Sequence, residues 1–63
     1  MNYPRTIKSY STRSFSVELA EVQENGYVVT FEQGNERSTT GVMKDLKNAM
    51  MWFDDTILML EGN

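Results

Sequence analysis

A chain of 63 residues, 40% hydrophobic and 24% charged, allows one domain around one small core, burying about 60% of the surface its unfolded form exposes. With no cysteine and no histidine, disulfides are excluded and zinc or iron–sulfur ligation is effectively excluded. The net charge of −3 is uneven, because residues 1–14 carry Arg5, Lys8 and Arg13 and no acid, whereas residues 15–63 carry all nine carboxylates against three cations.

Residues 1–13 are rich in Ser, Thr and Tyr. They read as a basic, poorly packed arm, or as an edge strand in need of a neighbour. The single domain is then residues 14–63. Ser14 to Glu24 reads as a strand in which Phe15, Val17 and Leu19 alternate before Ala20 and Val22 take the opposite parity, which predicts a bulge near Leu19. Asn25-Gly26 between two strand-like runs predicts a two-residue type I′ turn. That register sets Val22 opposite Val29 and Ala20 opposite Phe31, with Tyr27, Val29 and Phe31 on the core face. Gly34-Asn35 predicts a second two-residue loop with Glu32 across from Arg37. Arg37 to Val42 completes the third strand, with Ser38, Thr40 and Val42 on the face of Phe31.

From Val42 to Leu60 the pattern is helical. At roughly 100° per residue, Val42, Leu46, Ala49, Met50, Phe53, Ile57 and Leu60 form one stripe suited to a core. Asp45 is the predicted cap, and Gly62 ends the helix. Met51, Trp52, Leu58 and Met59 fall in a second sector, with Asp55 near its middle. The expected fold is α+β, a three-stranded antiparallel meander packed on one C-terminal helix (βββα).

The run Asn25-Gly26-Tyr27-Val28-Val29-Thr30-Phe31, followed by Asp45-Leu46 and Ala49-Met50, resembles the N-terminal βββα unit of HicB-like antitoxins. The likeness spans residues 17–57. It implies that shape and a tendency to dimerise. Neither the third-strand segment nor the DNA-binding segment of that family has a counterpart here, so toxin neutralisation and operator binding do not carry over. The chain also looks like the small accessory products of phages and mobile elements.

No catalytic centre or cofactor site is expected. Asp54 and Asp55 are adjacent, so on a helix they diverge by about 100° and cannot flank one reacting atom. A hard-cation site from Asp54, Asp55 and Glu61 needs distortion, and no glycine-rich phosphate loop is present. Two binding readings remain. In the first, the chain is a dimeric protein-binding module, a modulator or inhibitor of another protein. Met51, Trp52, Asp55, Leu58 and Met59 form its contact surface, since large apolar patches are rare on soluble monomers. In the second, Tyr3, Arg5, Lys8, Tyr10 and Arg13 interleave cations with aromatics and contact nucleic acid. A minor third reading lets Glu18, Glu21, Glu24, Glu32 and Glu36 line one surface as a nucleic-acid mimic. No stretch approaches the roughly 20 apolar residues of a membrane span. The first residues hold no apolar run of signal-peptide type. A cytoplasmic protein without a membrane partner is expected.

Overall fold

The structure, a computed structural model, describes residues 3–62. Four strands and one helix follow in order: β1 (Arg5–Ser11), β2 (Phe15–Gln23), β3 (Gly26–Gln33), β4 (Glu36–Thr39) and α1 (Leu46–Glu61). The strands make one antiparallel sheet in the order β1-β2-β3-β4. The helix packs on β2 and β3. The α+β arrangement with a single C-terminal helix matches the sequence reading, but the meander has four strands, not three.

The added strand comes from the N-terminal segment, whose first two residues lie outside the described residues. Every residue of β1 is exposed, so no burial pattern marks it in the sequence. Backbone pairing with β2 holds it, helped by strand-forming Thr6, Ile7 and Tyr10. Three side-chain contacts add to this. Arg5 pairs with Glu21 at 2.6 Å, Thr6 donates to the Glu18 carboxylate, and Tyr10 donates to Glu61 at 2.7 Å. The turn into β2 is closed by Thr12, whose amide donates to the Phe15 carbonyl at 2.8 Å. Its hydroxyl accepts from the amides of Ser14 and Phe15.

In β2, Phe15, Val17, Leu19 and Glu21 are buried on one face, and the small Ala20 is buried on the other. The strand keeps its parity through Leu19. The bulge falls at Val22, where register shifts between Glu21 and Gln23. A second bulge lies on β1 at Ile7, across from Ala20 and Leu19. The first hairpin also departs from expectation. Gln23 pairs with Gly26, so the loop is Glu24-Asn25. Only Asn25 has positive φ, at 56°, whereas a type I′ turn needs it at both loop positions. Gly26 sits in the strand instead, where a Cβ would come within 3.0 Å of Val42 and closer still to Gln23. Leu19 therefore faces Val29, and Ala20 faces Val28.

The second hairpin follows the sequence reading, with Glu32 opposite Arg37 across the Gly34-Asn35 loop. Gly34, at φ 62°, supplies the one positive φ there. β4 ends at Thr39, earlier than expected. The Thr40 amide donates to the Val29 carbonyl at 2.9 Å, while the Val29 amide donates to the Thr40 hydroxyl rather than to its carbonyl. The chain then bows outward and rejoins β3 through paired bonds between Met43 and Tyr27. Met43, not Val42, is the inward residue.

Asp45 caps α1 by accepting from the Lys47 amide at 3.0 Å. Gly62 closes the helix without a left-handed turn, at φ −70°. The buried face is Ala49, Phe53, Thr56 and Leu60. The expected stripe is rotated, for Val42, Leu46 and Met50 are exposed. Thr56 fits the apolar interface because its hydroxyl donates to the Trp52 carbonyl at 2.7 Å. The core is Phe15, Val17, Leu19, Val29, Ala49, Phe53 and Leu60, with Tyr27, Phe31, Met43 and Ile57 packed around it.

Candidate functional site

Two positions along a helix is a turn of about 200°. Met51 and Leu58 therefore stand on the crown of α1, roughly opposite Phe53 and Leu60, whose side chains are buried. Trp52 and Met59 occupy the flank between that crown and Thr56. The four are 57%, 67%, 51% and 54% exposed in the order Met51, Leu58, Trp52, Met59. Asp55 is exposed and stands among them at the centre of the sector.

The flank that carries Trp52 overlooks a cleft. Because α1 covers β2 and β3, β4 is left without a layer above it. The resulting space of about 270 Å³ is lined by Val29 and Phe31 from β3, Ser38, Thr39 and Thr40 from β4 and its end, and Trp52, Asp55, Thr56 and Met59 from α1. Of the sequence-predicted contact residues, the structure brings Trp52, Asp55 and Met59 to this cleft. It leaves Met51 and Leu58 on the adjoining crown. Sequence reading missed the floor and far wall of the cleft. The floor residues Val29 and Phe31 looked like ordinary core, and Thr56 carried no signal of its own.

The electrostatics are one-sided. From Ala49 to Glu61 the helix carries Asp54, Asp55 and Glu61 and no Lys or Arg. Glu61 accepts the Tyr10 hydroxyl, and this hydrogen bond, with the carboxylate's negative charge, raises the Tyr10 phenol above its ordinary value.

The basic N-terminal set is placed differently. Arg5 is bound to Glu21, the Lys8 ammonium lies 5.2 Å from the centre of the Phe53 ring, and Tyr10 is engaged by Glu61 and tilted against Phe15. Tyr3 and Arg13 are exposed at the two ends of the β1 region. The five glutamates of the mimic reading do not share a surface. Glu21 is buried on the helix side, whereas Glu18 is one position out of phase with it on the opposite side. That opposite sheet face is lined mostly by small polar and charged groups, among them Ser9, Ser11, Ser16, Glu18, Thr30 and Arg37. Among the described residues no group of three or more carboxylates is placed to hold a metal ion, and no helix is long and apolar enough to cross a membrane.

Comparison with family models, with curated proteins and with solved structures gave no match. The surface is therefore read from its own chemistry.

Proposed function

We propose that this chain is a non-catalytic protein-binding module, a small cytoplasmic modulator or inhibitor of the type carried by phages and mobile elements. The observation that carries the reading is the apolar band on α1. Four large side chains, each more than half exposed, surround Asp55 and extend from the crown of the helix into a cleft with an apolar floor. Patches of that kind mark contact sites more often than bare surface, and tryptophan and methionine suit adaptable contacts.

Self-association is the second reading. A core of seven buried side chains is small for independent stability, and a second copy could cover the band. Nucleic-acid contact through the N-terminal segment has less to support it, since Arg5, Lys8 and Tyr10 are turned towards their own domain.

The test pairs Trp52→Ala with Leu58→Ala. A protein retained from host extract by the wild type and lost by the double variant, with unchanged far-UV dichroism, supports the reading. Equal retention by both refutes it, as does global unfolding of the variant, which would assign these side chains to the core. Sedimentation of the wild type at two concentrations decides the dimer.

A further inference from the structure

The occupant of the α1 surface can be narrowed by charge and by strand geometry, on the premise that the surface binds protein. A second copy docking by twofold symmetry on the outer face of α1 would centre on Asp55, the middle of the apolar sector. Each Asp55 carboxylate would then meet its symmetry mate, with Asp54 and Glu61 nearby and no cation on that half of the helix. Like charges held face to face across an interface are a strong penalty. The same carboxylates repel anionic lipid and nucleic acid. They favour a partner segment that carries Lys or Arg beside its apolar side chains.

The strand next to the cleft suggests the shape of that segment. In an antiparallel hairpin the bonded pairs alternate. Thr40 bonds to Val29, and its register neighbours two residues apart, Ser38 and Glu36, face β3 in the same way. The backbone N–H and C=O groups of Arg37 and Thr39 therefore point outward, along an edge that no other strand among the described residues covers. A strand added there would send every second side chain towards α1, into the space between β4 and Trp52. That space, at about 270 Å³, lies below the roughly 300–1,000 Å³ of small-molecule sites. It suits one or two inserted side chains, the arrangement of strand-addition complexes.

We propose that the cleft between β4 and α1 binds an extended segment of a different protein, with apolar residues at alternate positions and Lys or Arg between them, which adds to the β4 edge, inserts an apolar side chain against Val29, Phe31 and Trp52, and pairs a cation with Asp55.

The probe is an eight-residue peptide of alternating leucine and lysine with blocked ends, compared with alternating leucine and glutamate and with alternating serine and lysine. Trp52 is the sole tryptophan, so its emission reports occupancy directly. The leucine–lysine peptide should shift that emission to shorter wavelength and move the backbone amide resonances of Arg37, Thr39, Thr40 and Asp55. The other two peptides should do neither at the same concentration. Asp55→Asn should weaken binding by up to about fivefold, the upper range for an exposed charge pair. Thr39→Pro should weaken it by removing one outward donor while sparing the backbone bonds to β3, and Thr39→Val, which loses only the hydroxyl contact with Thr30, should bind as the wild type does.

Equal binding of the leucine–glutamate peptide, resonance changes away from β4 and α1, or no binding at all overturns the inference. Concentration-dependent resonance shifts of residues 51–59 in the protein alone also overturn it, in favour of a second copy. Should host extract yield a protein that binds through Trp52 and Leu58 by a neutral or acidic segment, this inference fails while the protein-binding reading stands.

Discussion

Replacing Phe53 and, separately, Trp52 by alanine tests the orientation of α1 at two adjacent positions. Phe53 is 2% exposed and Trp52 is 51% exposed. A buried phenylalanine cut to alanine costs about 3–5 kcal/mol, from lost transfer energy plus the cavity it leaves. A single core in a chain this short supplies about 3–5 kcal/mol in total. Phe53→Ala should therefore be largely unfolded at 25 °C without denaturant. Trp52 is only half withdrawn from water, so its truncation forfeits about half of the roughly 1.5–3 kcal/mol that full burial of a large side chain is worth. Alanine returns a few tenths of a kcal/mol through its better helix propensity. The net cost is about 1 kcal/mol. With a slope near 1 kcal/mol per molar urea for so small a domain, the midpoint should fall by about 1 M or less. Far-UV dichroism against urea measures both. A folded Phe53→Ala together with an unfolded Trp52→Ala would mean that the helix is rotated, and would remove the basis for the binding surface.

Further outcomes are expected elsewhere. Arg5→Ala leaves the nearly buried Glu21 without its counter-charge and should cost about 1–3 kcal/mol; adding Glu21→Leu should recover most of that loss in the same urea assay. Asn25→Ala places a Cβ residue without local hydrogen bonding at φ 56° and should lower stability by about 1 kcal/mol, whereas Asn25→Gly should be near neutral; thermal melts would separate the two. The Tyr10 phenol is raised by Glu61, so the folded state prefers its neutral form. Its contribution is complete below the ordinary tyrosine range near 10 and is lost as pH climbs through the raised value. Ultraviolet titration near 295 nm should show Tyr10 ionising above its ordinary value, and Tyr10→Phe or Glu61→Gln should abolish that step.

The elements that bury side chains were legible from the residue pattern. The alternation Phe15, Val17, Leu19 and the run Tyr27, Val29, Phe31 placed β2 and β3, and the helical stripe placed α1 with its Asp45 cap. The strand β1 was legible only as one of two readings, an unpacked arm or an edge strand, because all its residues are exposed and its binding energy lies in backbone pairing and in Arg5, Thr6 and Tyr10 reaching partners distant in sequence; the structure shows the edge strand. Register was only partly legible. The Asn25-Gly26 pair announced a turn, but whether the second residue belongs to the loop or the strand depends on the bulge at Val22, and Gly26 in the strand lies close against Gln23 and against Val42, which is distant in sequence from the turn. The outward sector of α1 was visible as periodicity. The cleft beside it was not, since it arises from where the helix settles across the sheet, over β2 and β3 and clear of β4.

The pairing of β1 with β2 has a practical consequence. β2 is the most deeply buried strand of the sheet, and β1 covers the hydrogen-bonding edge that β2 would otherwise offer to other molecules. The guard itself is a poor template, kinked at Ile7 and flanked by the cations of Arg5 and Lys8. Versions of the chain that begin after residue 12 would expose a greasy ribbon edge with nothing to blunt it, and such versions should precipitate or form fibrils from solutions in which the longer chain stays clear.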